Sequence, residues 1–189
     1  MSDSGNVSIL GICGSLRQGS YNRAALRTAV AVKPANMTVT VADISTIPLY
    51  NEDVRQEGFP PPVETLRQQI KAADGLLIAC PEYNYSMTGV LKNAIDWASR
   101  PPDQPFAGKP LAIIGAAAGM AGSARAQYDL RRSCVFLDVH VVNKPEVLIG
   151  QAQNKFDAQG NLTDDVARNL MRELMVNLAN FALLHAKQG

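Results

Sequence analysis

Residues 8–22, Ser-Ile-Leu-Gly-Ile-Cys-Gly-Ser-Leu-Arg-Gln-Gly-Ser-Tyr-Asn, run from an apolar stretch into glycines, hydroxyls and one arginine. A helical pattern opens at about Asn22. Strand, polar glycine loop and helix together aim backbone N–H groups and a helix N-terminus at an anion. From Gly14 the spacing is Gly-x-x-x-x-Gly-Ser, but Ser20 follows Gly19 directly, without the lysine that a P-loop places between them to reach β- and γ-phosphates. Gly11, Gly14 and Gly19 also miss the G-x-G-x-x-G spacing of a dinucleotide fingerprint. What remains is a small cradle: hydroxyls from Ser15 and Ser20, the guanidinium fork of Arg17 and the amide of Asn22. That set suits one terminal monophosphate. An ordinary βα turn with Ser20 as N-cap explains the loop equally well, and on this stretch alone both readings stand.

The second chemical stretch is Pro81-Glu82-Tyr83-Asn84-Tyr85-Ser86, directly after an apolar run. Two tyrosines offer flat faces, while Asn84 and Ser86 offer polar contacts. A planar aromatic ligand stacks on such a loop as backbone groups read its edge. Taken singly, either tyrosine is explained as a cap on a sheet end. Taken with a monophosphate cradle, the loop favours a ligand with a phosphate tail and a planar ring. FMN meets both demands; ATP and NAD meet them less well.

Elements must bring these loops together. Residues 7–12, 75–80 and 111–117 are continuous apolar runs, the pattern of parallel strands buried on both faces. Residues 37–42 alternate and read as an edge strand. Residues 139–142 and 147–149 read as one last strand interrupted at Asn143-Lys144-Pro145. Helices are expected over 22–33 (Ala25, Ala29 and Val32 inward) and from Val63 to Ala73. The latter buries Val63, Leu66 and Ile70, with Glu64, Arg67, Gln68 and Lys71 facing water. Others are expected from Thr88, from Ser123, and from Asp164 to about residue 184, the last capped by Thr163 and burying Val166, Leu170, Leu174, Leu178 and Phe181. Residues 43–62 read as a long polar connection. Strand and helix alternate about five times, so one doubly wound α/β domain over residues 1–189 is expected, with helices on both faces of a five-stranded parallel sheet. Such sheets bind ligands at the carboxyl ends of their strands, which selects the loops 13–22, 81–87 and 116–123.

Composition narrows the function classes. Of the 189 residues 47% are hydrophobic, enough for a substantial core, and the net charge of +1 gives no steering toward nucleic acid. No apolar run approaches the ~20 residues of a membrane span. Residues 1–5 lack the features of a signal peptide, and Cys13, Cys80 and Cys134 form no CxxC pair, so a reduced, cytoplasmic setting is expected. His140 and His185 are the only histidines, and no zinc-binding pattern includes them.

Gly-Ser-Leu-Arg-x-Gly-Ser-x-Asn at 14–22 and Pro-Glu-Tyr-Asn-Tyr-Ser at 81–86, followed by Gly-Val-Leu-Lys-Asn-Ala-Ile-Asp-Trp at 89–97, resemble the NADPH-dependent FMN reductase family. The branch of bacterial quinone, azo and chromate reductases is the most similar. The likeness extends to Leu49-Tyr50-Asn51-Glu52-Asp53 and to residues 125–131. It implies a flavodoxin-like fold with strand order 2-1-3-4-5, non-covalent FMN, NADPH or NADH as reductant, and a homodimer or homotetramer. Ser15, Arg17, Ser20 and Asn22 would hold the phosphate; Pro81, Glu82, Tyr83, Asn84, Tyr85 and Ser86 would border the ring. Ala117 and Gly119 stand in a loop that often carries serine in relatives, so contacts there would use backbone groups. The implied activity moves a hydride from NAD(P)H through FMN to quinones, azo compounds, free flavin or metal oxyanions such as chromate. No side chain is nominated as acid or base, because the chemistry belongs to the cofactor. Arg100 and Arg125 are candidates for a nucleotide phosphate or an anionic oxidant, or else for surface ion pairs. A flavodoxin-type electron carrier and a nucleotide-binding regulator are the alternatives.

Overall fold

A computed structural model describes residues 5–186. Residues 1–4, most of the stretch read for a signal peptide, lie outside it. The element order is β1 (Val7–Cys13), α1 (Tyr21–Val32), β2 (Met37–Val41), α2 (Glu52–Glu57), α3 (Pro61–Ala72), β3 (Gly75–Ala79), β4 (Glu82–Tyr83) and β5 (Ser86–Met87). It continues with α4 (Gly89–Ala98), β6 (Pro110–Ala116), α5 (Ala124–Leu137), β7 (His140–Val141), β8 (Val147–Ile149) and α6 (Asp165–Ala186). The main sheet is parallel, in the order β2-β1-β3-β6-β7, with β8 also paired to β6. Counting β7 and β8 as two pieces of one fifth strand, this is the order 2-1-3-4-5. The fifth strand is broken by the turn carrying Pro145, which has no N–H for a ladder.

Successive side chains of the central strands serve opposite faces. Ile9, Leu77, Ala112 and Ile114 pack with Ala25 and Ala29 of α1 and with Met171, Leu174 and Leu178 of α6. Their neighbours Leu10, Ile12, Ile78 and Ile113 pack with Leu66 and Ile70 of α3, Leu91 and Ile95 of α4, and Leu130 of α5. Period two on two covered faces is why these runs are apolar throughout. Burying each large aliphatic side chain contributes about 1.5–3 kcal/mol relative to leaving it exposed. The edge strand β2 alternates instead, from buried Met37 to exposed Val41.

Several expectations are corrected. The connection 43–62 contains α2, which Asn51 caps by accepting from the Asp53 N–H at 2.9 Å and which buries no residue. Arg67 does not face water: it is 7% exposed, stacked on Phe59, and donates to the carbonyls of Ala98, Arg100 and Asp103 at 2.6, 2.7 and 3.0 Å. The stretch 81–87 is a small antiparallel hairpin, β4–β5, with Asn84 and Tyr85 at its turn, both at positive φ. Two left-handed residues are what a two-residue hairpin turn of type I′ requires. Asp164, not Thr163, caps α6 by accepting from the Ala167 N–H at 2.7 Å, and Val166 is 70% exposed. Trp97, whose helical spacing among apolar neighbours reads as core or interface, is indeed fully buried, donating to the Pro48 carbonyl at 2.8 Å and meeting the Tyr50 ring edge-on.

Candidate active site

A cleft of about 420 Å³ opens where β1, β3 and β6 end. Its first wall is the loop between β1 and α1. Gly14 donates to the Ala79 carbonyl at 2.9 Å, and its own carbonyl accepts from the Thr88 hydroxyl at 2.6 Å. A Cβ on Gly14 would lie 2.8 Å from Cδ of Pro81 and 3.2 Å from Leu91. The first two loops therefore touch, and this close approach is the physical reason for a glycine at 14. Ser15 and Ser20 are nearly buried at the rim of the loop. Ser20 caps α1, accepting from the Arg23 N–H at 3.3 Å, so the cap and cradle readings of this residue are compatible. Arg17 makes no ion pair among the described residues; its guanidinium stands 5.8 Å from the Tyr21 ring.

The second wall is Pro81, Glu82 and Tyr83; the third is the stretch from Ala116 to Ser123 that links β6 to α5. Gly122 and Ser123 both adopt positive φ here. Gly115, inside β6, lets this stretch fold back, since a Cβ there would meet Ser123 Oγ at 1.8 Å.

Of the residues singled out in the sequence, Ser15, Arg17, Ser20, Asn22, Pro81, Glu82, Tyr83, Ala117, Gly119 and Arg125 come together on this cleft. Two of them turn their side chains to structural partners. Asn22 donates from Nδ2 to the Ala116 carbonyl at 2.8 Å and accepts the Ala116 N–H on Oδ1 at 3.0 Å. Glu82 sends its carboxylate to the N-terminus of α5, accepting from the N–H groups of Arg125 and Ala126 at 3.1 and 3.3 Å and from Arg125 Nε at 2.6 Å. A carboxylate is favoured at that helix end.

Asn84, Tyr85 and Ser86 stay off the cleft. Asn84 and Tyr85 form the hairpin tip, and the Ser86 hydroxyl donates to Asp129 beside a separate depression lined by Tyr85, Arg125 and Arg132. Arg100 is also elsewhere, its Nε on the Asp96 carbonyl at 3.0 Å and its Nη2 on Ser99 Oγ at 3.1 Å. Tyr21, Ala116, Ala118, Ala121, Gly122 and Ser123 also line the cleft; all lie within the loops 13–22 and 116–123 selected from the sequence, though none was singled out by name.

The donors converge at one end. Two hydroxyls, one guanidinium free of carboxylates and the N–H groups of Tyr21 and Asn22 at the start of α1 lie at the same corner, the next N–H, of Arg23, being taken by Ser20 Oγ. Among the described residues the only acid on the cleft, Glu82, is paired with Arg125. A phosphate dianion therefore meets donors alone at the α1 end, while the Pro81–Tyr83 side offers flat, largely apolar surface, so the residues present fit FMN. Thiolate chemistry does not fit: burial pushes the Cys80 thiol up to about 12 and Cys134 to about 11, and raises Cys13 as well. Among the described residues no group of three or more His, Cys, Asp or Glu could hold a metal ion, and no helix is long and apolar enough to cross a membrane.

Comparison with known proteins gives the same picture. The family model described as NADPH-dependent FMN reductase matches residues 7–154. The NAD(P)H-dependent FMN reductase of Pseudomonas aeruginosa is 66% identical over 173 residues, covering 92% of each chain. The quinone reductase of Escherichia coli K12 is 53% identical over 155 residues, 81% of this chain and 82% of that one. Among solved structures, the flavoenzyme NAD(P)H:(acceptor) oxidoreductase of Paracoccus denitrificans superposes with a TM-score of 0.85 at 30% identity, covering 95% of this chain and 98% of that one. A cradle at the α1 N-terminus beside a flat wall, and a family match over most of the chain, lead to one conclusion: this chain belongs to the NADPH-dependent FMN reductase family.

Proposed function

We propose that the protein, acting as a single domain, holds FMN non-covalently in this cleft and uses NADPH or NADH to reduce quinones and related small-molecule acceptors. When bound, FMN supplies the two-electron chemistry, taking reducing equivalents from the nicotinamide and passing them on. The protein binds and orients. Ser15, Arg17, Ser20 and the N–H groups of Tyr21 and Asn22 hold the phosphate through charge-assisted hydrogen bonds. Pro81 and Tyr83 flank the ring, with Tyr83 exposed enough to meet an incoming substrate. Backbone N–H groups of Ala118 and Gly119 would donate to the charge that develops on reduction; that of Ala117 is taken by the Ile149 carbonyl at 3.0 Å. Arg125, half-exposed at the cleft mouth, is placed to meet an anionic group of the nucleotide or the acceptor.

The observation that carries this reading is the Gly14–Pro81 contact, which joins the donor cradle to the flat wall in one cleft. The electron-carrier alternative loses its ground, because the relatives are named as reductases and the net charge is only +1. Homodimeric or homotetrameric assembly, a cytoplasmic setting and reduction of chromate or azo compounds extend the same proposal. The test is stopped-flow mixing of FMN-loaded protein with NADPH or NADH, followed by a quinone. Rapid bleaching and quinone-dependent return of flavin absorbance are expected; a flavin inert to both nicotinamides would overturn the proposal.

A further inference from the structure

β3 and β6 run side by side until the Cys80 N–H reaches the Ile114 carbonyl at 2.8 Å, the last rung between them. The paired register of β3 ends at Ala79 against Ile114, so no strand lies beside the end of β6 on this side. Two residues further along β6, Ala116 still needs partners for its N–H and C=O. Asn22 fills both places: its amide donates at 2.8 Å and accepts at 3.0 Å, as a backbone peptide would. The side chain is only 5% exposed, and its carboxamide is paired on both its nitrogen and its oxygen. Buried groups left unpaired would be costly, so the arrangement is strongly determined.

We infer that Asn22 is a positioning residue rather than a phosphate ligand: its side chain replaces the missing strand at Ala116 and helps fix where the Ala118 and Gly119 amides, just beyond it, stand relative to the α1 cradle. This rests on the flavin assignment. One residue then sets the spacing between the tail end and the ring end of the site. Its backbone N–H stays with the cradle while its side chain holds the opposite wall. Asn22→Asp keeps the acceptor for the Ala116 N–H but sets a carboxylate oxygen against the Ala116 carbonyl. Asn22→Ala removes both bonds without adding charge, and keeps the comparison readable should the aspartate variant fail to fold.

The test measures FMN and riboflavin affinity, the midpoint potential of bound FMN, and amide exchange at Ala116 and Ala117 in flavin-free protein. Riboflavin lacks the phosphate, so a phosphate ligand and a brace give different patterns. The expected result is a loss of about tenfold or more for both flavins by the same factor, as expected for lost buried hydrogen bonds. The bound flavin's potential should fall, since amides that favour the reduced form are displaced, and Ala116 should exchange faster without any flavin. Arg17→Ala, by contrast, should weaken FMN and spare riboflavin. A variant of Asn22 that weakens FMN alone, or that leaves Ala116 exchange and the potential unchanged, overturns the inference. If the wild-type protein binds neither flavin, the cofactor reading is what fails, and Ala116 exchange still judges the brace.

Discussion

The guanidinium of Arg125 lies over the ring of Tyr85, 3.9 Å from its centroid. Glu82 grips the same arginine from the other side and caps α5 with the same carboxylate. The hairpin β4–β5 is thereby fastened to α5 by two contacts on one side chain. Glu82→Gln keeps the shape and removes the charge. Since Arg125 is half-exposed, most of the cost comes from the helix cap, about 1 kcal/mol. Thermal unfolding should show a fall in Tm of roughly 2–4 °C for a chain of this size.

The phosphate cradle predicts a selective loss. Arg17→Ala combined with Ser20→Ala should weaken FMN retention, each charge-assisted bond contributing roughly 1.5–3 kcal/mol. Ser20 also caps α1, so its removal should cost about 1 kcal/mol of stability besides. Titration of flavin-free protein with FMN checks the first effect. Unchanged affinity would count against the whole assignment.

Gly14→Ala probes the contact between the two walls. Its Cβ would press on Pro81 and Leu91, both fixed by neighbouring elements. Overpacking of this kind costs about 1–3 kcal/mol, and here it also pushes the walls apart. Denaturant unfolding and FMN titration should both register the change; an alanine variant with native affinity would show that the walls are free to adjust.

Arg67→Met removes the buried donor of three carbonyls at the end of α4. Leaving such groups unpaired costs about 1–3 kcal/mol each, less where water reaches them. Stability should fall by several kcal/mol in urea, with little change in FMN affinity because the residue is remote from the cleft.

The buried cysteines make the fold sensitive to alkali. Burial holds Cys80 protonated up to about 12 and Cys134 up to about 11, against an ordinary value of 9.0. The unfolded chain therefore releases these protons first as pH rises. Their contribution is complete below pH 9 and is lost between about 9 and 12. Urea midpoints should decline across that window, and Cys80→Ala should flatten the decline. A thiol reagent should label neither residue in native protein at neutral pH.

Much of this was legible in the residues. The central strands announced themselves because both faces are covered, which forces unbroken apolar runs. The cradle and the Pro81 wall were legible because their residue types have few other uses side by side. Other features depended on partners distant in sequence. Arg67 read as a surface residue because nothing local shows that the carbonyls at the end of α4 will turn toward it. Asn22 read as a cradle residue because a side chain at a helix start ordinarily faces outward, while the bond its side chain makes to Ala116 spans 94 residues of sequence. Helix α2 escaped notice because it buries nothing, and so leaves no periodic apolar signature. Tyr85 and Ser86 were assigned to the ring side, yet the left-handed turn at Asn84 and Tyr85 carries them over to α5.

The broken fifth strand has a consequence for solubility. On that flank the sheet ends in segments of two and three residues, offset along β6 and separated by a proline-bearing turn. Neither piece is long enough to template a strand from another molecule, so intermolecular pairing finds little purchase there. The protein thus blunts one open border of its sheet by geometry, without having to line it with charge.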